Sequence, residues 1–274
     1  MTPRYLFITV SDSSPRSQAN LRALFSGIAR QGVAGDMIVV NRGHATALQP
    51  LSRDVEVHAL PVAERMSLSK ARNAGLRFAR ENRLLDRCDI VAFPDDDATY
   101  GRGLLARVED CLSSGSEIVS GLYAPAPTEV DTRRFPRRPR RLTPQVVMRV
   151  ASSNTLFLSA AVVRALGEFD ERLGLGAAYG AGEDSDYALR ALAAGFRGLY
   201  DPSIVVQHPY KPGRPAQYYG GNVAVLAKHA KRGGTRALLA RRLATGLLLT
   251  LQGRLEPPQY ARLIRSACAF VARG

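Results

Sequence analysis

Apolar residues in the first half of the chain fall into short blocks, separated by longer stretches in which they recur at helical spacing. Tyr5 to Val10 is an apolar block, interrupted only by Thr9 and too short for a helix, which predicts a strand. Met37 to Val40, Val55 to Leu60, Ile90 to Phe93 and Glu117 to Leu122 read the same way. Between them, Arg16 to Arg30, Ser67 to Asn82 and Gly103 to Leu112 carry the helical period. Alternation of this kind favours an α/β fold with a mostly parallel sheet flanked by helices, since parallel neighbours need a crossover between them.

The pattern breaks from Pro125 to Pro144, where proline and arginine dominate and neither period survives, so this stretch reads as a mobile loop interrupting the domain beside its site. It resumes with a strand over Ser153 to Leu158, a helix over Ala160 to Leu166 and an exit at Gly167-Glu168-Phe169-Asp170. Tyr187 to Ala194 is helical, with Gly195 as its stop, and Gly198 to Val206 is a further strand ending in Gln207-His208-Pro209. Beyond Pro215 the chain is helical and basic. Its apolar surface, Ala237-Leu238-Leu239 and Leu243 to Leu251, is broken by Arg241 and Arg242 and is too short and too charged to span a bilayer. Packing on the preceding domain is favoured over lying on an anionic leaflet. The division implied is a catalytic domain over residues 1–210 and a basic helical C-terminal extension over residues 211–274.

Charge sharpens this outline. The 274 residues carry a formal net charge of +14, which implies an anionic partner: nucleic acid, an acidic membrane face or a phosphorylated substrate. The basic residues cluster at Arg133, Arg134, Arg137, Arg138, Arg140 and Arg141, and again at Lys228, Lys231, Arg232, Arg236, Arg241 and Arg242. A merely solubilising surface accounts for them about equally well. Cys88, Cys111 and Cys268 are odd in number and far apart, which excludes a disulfide framework and predicts buried free thiols. No secretory segment precedes the first strand, so a cytoplasmic location is expected, with peripheral attachment to the inner membrane face as an option.

Three positions carry candidate chemistry. Asp95, Asp96 and Asp97 follow a short apolar strand, and adjacent carboxylates repel one another unless something positive sits among them. An oxygen-rich cluster at the C-terminal edge of an α/β sheet suits Mg2+ or Mn2+ and a phosphate ester, although a lone acidic triplet is more often a solvated turn. Gly182-Glu183-Asp184-Ser185-Asp186 opens a helix, where the dipole keeps a carboxylate ionised and able to accept a proton; simple capping is the competing explanation. His208, at a strand end, is a satisfied core or surface histidine unless carboxylates accompany it.

In their order these segments resemble glycosyltransferase family 2, the inverting enzymes of the GT-A fold, over roughly residues 4–210. Leu68-Ser69-Lys70-Ala71-Arg72-Asn73-Ala74-Gly75 is similar to the family's Ala-Arg-Asn-x-Gly segment, and Phe93-Pro94-Asp95-Asp96-Asp97 to its Asp-x-Asp strand end. Gly167 to Asp170 resembles its Gly-Gly-Phe-Asp turn, Gly182 to Tyr187 with Arg190 and Gly195 its Glu-Asp helix, and His208 its late metal-binding histidine. The resemblance implies a GT-A Rossmann-like sheet and a divalent cation, Mn2+ or Mg2+, on Asp95, Asp97 and His208. It makes Asp184 the base, with Glu183 orienting base or acceptor. It places a nucleotide-sugar donor against Thr9, Val10, Ser11, Arg72, Asn73 and Asp96, and Tyr179 at the border of a sugar or lipid-linked acceptor.

Two departures matter. Where the family carries an acidic turn after its second strand, this chain has Val40-Asn41-Arg42-Gly43-His44, which leaves the base open, with Asn41 as a substitute hydrogen-bonding group and Arg42 as a partner for phosphate or a charged sugar. The arginine loop is no family hallmark. A sugar nucleotidyltransferase would share the sheet and the metal, but it needs a glycine-rich loop after the first strand, and Ser11-Asp12-Ser13-Ser14-Pro15-Arg16 lacks one. A nucleic-acid-binding protein would explain the charge and leave both acidic clusters unexplained; no nucleic-acid partner is expected.

Overall fold

The computed structural model describes residues 2–12, 14–43, 52–63, 66–210 and 215–272; Ser13 and His44 lie outside the described residues. The first half runs β1 (Arg4–Ser11), α1 (Pro15–Ala29), β2 (Ala34–Arg42), β3 (Val55–Val62), α2 (Leu68–Glu81), β4 (Ile90–Ala92), β5 (Thr99–Tyr100), α3 (Leu104–Ser113) and β6 (Ile118–Ala124). Then come β7 (Arg140–Arg141), α4 (Pro144–Val150), a single 3-10 turn over Ser153–Thr155, β8 (Leu156–Ser159), α5 (Ala160–Leu166), α6 (Glu183–Ala193) and β9 (Gly198–Gln207). Three helices close the chain: α7 (Pro215–Lys228), α8 (Gly233–Leu251) and α9 (Pro257–Ala272).

The described strands form one sheet in the order β3-β2-β1-β4-β8-β6-β9, with β5 and β7 both on the outer edge of β9. β1 to β4, β6 and β9 run in one direction, and β5, β7 and β8 oppose them, so the sheet is mostly parallel. Side chains alternate across it. Leu6, Ile8 and Val10 pack with Ala71, Leu76 and Ala79 of α2. Tyr5 and Phe7 face Leu21, Leu24 and Ile28 of α1. Gly75 lets α2 approach closely, since a Cβ there would lie 2.6 Å from Ile8 Cγ2. Capping fixes where the helices begin: Ser14 with Pro15, Ser67, and Thr143 with Pro144 each supply a side-chain acceptor to the first turn.

Several boundaries differ from the sequence reading. The helix expected from Tyr187 begins at Glu183, so the acidic run lies inside its first turn, with Gly182 at φ 101° as the N-cap. Asp184 therefore caps nothing. The arginine-rich stretch, read as structureless to Pro144, contains β7, and its Phe135 and Leu142 are buried. Arg149 of α4, a helix that the sequence reading missed, holds it by donating to the carbonyls of Arg133 and Arg134. The strand expected from Ser153 begins at Leu156, after the 3-10 turn. Cys88 and Cys111 are buried as expected, whereas Cys268 is exposed on α9.

The C-terminal helices pack on the sheet domain. Lys228 Nζ lies 2.9 Å from both Asp186 Oδ1 and Asp170 Oδ2, and His229 Nε2 lies 2.9 Å from Asp186 Oδ1. Asp186 is fully buried, and Arg190 completes its shell at 3.0 Å. Burial opposes ionisation of Asp186, but the His229 hydrogen bond and the Lys228 and Arg190 charges outweigh it and hold its carboxyl below the usual range. No helix among the described residues is long and apolar enough to cross a membrane.

Candidate active site

β4 delivers the acidic triplet to the sheet's C-terminal edge, where each carboxylate takes a different direction. Asp95 points toward α2. Its Oδ1 accepts from Arg72 Nη2 at 3.1 Å and its Oδ2 from Asn154 Nδ2 at 3.0 Å, while its backbone N–H donates to Asn154 Oδ1 at 2.6 Å. Asp97 turns to the end of β9, with Oδ1 at 3.0 Å from His208 Nε2; Asp95 Oδ2 is 3.5 Å from the same nitrogen. Asp96 faces the opposite way, toward α1. Burial pushes its pKa up to about 6, a hydrogen bond from Ser17 opposes the rise, and Asp97, Asp95 and Asp12 add to it.

The guanidinium beside Asp95 is Arg72, almost wholly buried at 2 % side-chain exposure. Besides Asp95, its Nη1 donates to Asp184 Oδ1 at 3.1 Å and lies 3.7 Å from Glu183 Oε1, while Nη2 donates to Ser153 Oγ at 2.6 Å. One guanidinium thus joins the two acidic clusters into one site. Burial pushes Asp184 above its ordinary value, although Arg72 and the Ser153 hydrogen bonds pull the other way; this is opposite to the effect expected from a helix dipole alone. Glu183 is pushed up to about 7 by burial and by the Asp184 charge. Asp184 keeps 19 % of its side chain exposed.

Asp95, Asp97 and His208 place one oxygen, one oxygen and one nitrogen within 4.8 Å of one another. Both ring nitrogens of the buried His208 lack a partner with hydrogen-bond geometry among the described residues, despite the nearby carboxylates. A buried imidazole facing two carboxylates has the donor set of a divalent cation site. Without a cation, burial lowers the histidine's proton affinity, but the two carboxylates outweigh it and raise its pKa to about 9. Tyr123 packs edge-on against His208 at 5.5 Å, and Arg134 stacks on Tyr123 at 4.8 Å, so the arginine loop does border the site.

The expected nucleoside residues separate. By the alternation of β1 and β2, Thr9, Ser11 and Asn41 lie on the α1 face, Ser11 pairing with Asn41 in register. Thr9 Oγ1 and both amide atoms of Asn41 are buried without hydrogen-bond partners among the described residues. Val10 does not join them, because its side chain belongs to the core against α2. Asn73 is also placed elsewhere. It accepts from Phe169 N at 2.8 Å and donates to Phe169 O at 3.0 Å and Glu171 Oε1 at 3.1 Å, pinning the Gly167-to-Asp170 turn. Arg42 Nη1 donates to Met66 O at 3.3 Å. Tyr179 is tied to α9 through a 2.7 Å hydrogen bond to Ser266 O and an edge contact with Phe270. Ser153 and Asn154 escaped the sequence reading; the signal was a polar Ser-Ser-Asn triplet abutting an apolar strand.

Solved structures that match the fold over nearly the whole chain include two with a nucleotide-sugar bound. One is Staphylococcus aureus TarS 1-349 in complex with UDP-GlcNAc, with a TM-score of 0.69 at 15 % identity, covering 98 % of this chain and 81 % of that one. The other is the mannosyltransferase PcManGT from Pyrobaculum calidifontis in complex with GDP-Man and Mn2+, with a TM-score of 0.62 at 18 % identity, covering 99 % and 88 %. The chain has the GT-A fold. No family model matches the sequence, and no curated protein does. In GT-A terms, the Arg72-linked carboxylates sit at the C-terminal edge of the central strands, where ligands of open α/β sheets bind.

Proposed function

We propose that the chain is an inverting, divalent-cation-dependent glycosyltransferase of family 2, moving a sugar from a nucleoside-diphosphate-sugar to an acceptor hydroxyl in bacterial-type polysaccharide or glycoconjugate assembly. The observation that carries this is Arg72, which holds Asp95 of the cation triad and Asp184 of the second acidic cluster at 3.1 Å each. Solved GT-A relatives with UDP-GlcNAc, or with GDP-Man and Mn2+, support the substrate class.

Asp95, Asp97 and His208 would hold Mn2+ or Mg2+, which would supply positive charge to the donor diphosphate. Asp184 accepts the proton of the acceptor hydroxyl; the freed oxygen pair forms the new bond to the anomeric carbon from the face opposite the diphosphate, and the old carbon–oxygen pair leaves with the nucleotide. A carboxyl group with raised proton affinity suits that task. Arg72 and Ser153 fix its orientation, and Glu183 buffers the local charge beside it. Thr9, Ser11, Asn41 and Asp96 bind the nucleoside, with the orphaned Asn41 amide reading the base. Residues 1–210 form the catalytic unit, residues 211–274 are its extension, and the acceptor is a sugar or a lipid-linked chain.

Asp184→Asn tests the assignment. It should abolish transfer while leaving cation-dependent nucleotide binding within about threefold of the parent, because only proton acceptance is removed. Transfer at the parental rate would refute the base. Release of nucleoside diphosphate, rather than pyrophosphate, separates this reaction from nucleotidyl transfer.

A further inference from the structure

Residues 208–274 hold twelve lysines and arginines against one acidic residue, Glu256, a net +11 within the chain's +14. The positive excess is therefore a property of this extension, not of the catalytic sheet. α7 packs both on the sheet domain and against α8 and α9, whereas α8 buries one side. On α8, Leu239 and Leu243 face Tyr219, Val223 and Ala267, and Gly246 is buried beside Tyr219 and Tyr260. The outward stripe reads Arg236, Ala237, Ala240, Arg241, Ala244, Leu247, Leu248 and Leu251, all exposed.

This stripe is basic toward its start and apolar at its tip. Leu247, Leu248 and Leu251 are 51, 54 and 77 % exposed, and they account for three of the seven large hydrophobic residues that the described surface leaves exposed. Nothing in the described chain covers them. Exposed Arg254 and Arg262 flank the turn into α9. Positive charge alone would suit nucleic acid, but three protruding leucines gain nothing from a phosphate backbone. Leucines at the end of a basic helix fit a surface that is anionic outside and hydrocarbon beneath. We propose that the outer face of α8 and the turn into α9 dock the protein on an anionic lipid bilayer.

The chain has no tryptophan, so Leu251→Trp in the full-length protein supplies a single reporter at the tip. It is titrated, without cation or nucleotide, with vesicles of equal parts phosphatidylglycerol and phosphatidylcholine, and with phosphatidylcholine alone. Because no reaction is involved, the result is independent of the glycosyl-transfer assignment. Anionic vesicles should shift emission to the blue and co-sediment the protein, and rising salt should weaken both effects. Leu247→Ser with Leu248→Ser should weaken binding about tenfold or more, equal to about 1.4 kcal/mol, with an unchanged circular-dichroism melt. The proposal is overturned if emission does not move, if phosphatidylcholine binds equally, or if the serine variant binds like its parent. It also fails if a short RNA duplex displaces the vesicles, or if light scattering shows a dimer dissolved by the serines with no vesicle binding.

Discussion

Replacing Arg72 by methionine keeps the length of the buried side chain and removes its charge, leaving Asp95, Asp184 and Glu183 facing one another without compensation. Breaking a buried ion pair by removing one partner costs about 3–5 kcal/mol. Two charge-assisted hydrogen bonds at 3.1 Å and one to Ser153 at 2.6 Å place Arg72 in that range. For a chain of this size each kcal/mol lowers Tm by roughly 2–4 °C, so metal-free Arg72→Met should melt about 10 °C below the parent at pH 8. The pH dependence has a definite sign. Glu183 and Asp184 already titrate above their ordinary values, and loss of the cation raises them further. Acids bound more tightly to protons when folded lose stability as pH climbs through that interval, so the deficit should shrink toward pH 5. Arg72→Lys restores charge without the planar fork and should fall between the two. The assay is thermal circular dichroism in chelator at pH 5 and pH 8. A methionine variant within about 2 °C of the parent at pH 8, or equally destabilised at both values, would show that Arg72 does not compensate buried charge.

His208 titrates near 9 when metal-free, above its ordinary 6.5, so the stability it contributes is complete below 6.5 and is lost as pH rises through about 9. Chelated protein should show a falling Tm over that window. Saturating Mn2+ should flatten the slope and His208→Ala should remove it; an unchanged slope in His208→Ala rejects the histidine as its source. Calorimetry of Mn2+ binding at pH 7.5 in two buffers of different ionisation heat should show proton release, and equal heats would count against displacement of the His208 proton. Asn73→Ala breaks the paired bonds to the Phe169 backbone and should cost roughly 2–4 kcal/mol, read from urea melts. Its nucleotide affinity per folded molecule should stay within about threefold of the parent, and a selective loss of affinity would place Asn73 back at the donor.

Local sequence was enough for most of the elements and for the acidic residues that could carry chemistry, though not for α4, β7, Ser153 or Asn154. Apolar blocks separated by helical periods determined the α/β alternation, and a short strand just ahead of Pro94 ejects Asp95, Asp96 and Asp97 together at one sheet edge. The register of β1 already separates Thr9 and Ser11 from Val10, because strand side chains alternate. Partnership was decided only in three dimensions. Arg72 and Asp184 are 112 residues apart, and nothing periodic couples them; their contact depends on how α2 and α6 pack on the sheet. The same holds for Asn154 on Asp95 and for Asn73, whose motif position suggests a ligand and whose surroundings give it a turn to hold. Burial reversed the electrostatic expectation for Asp184, since a helix dipole is a local property and desolvation is set by everything packed around the carboxyl group.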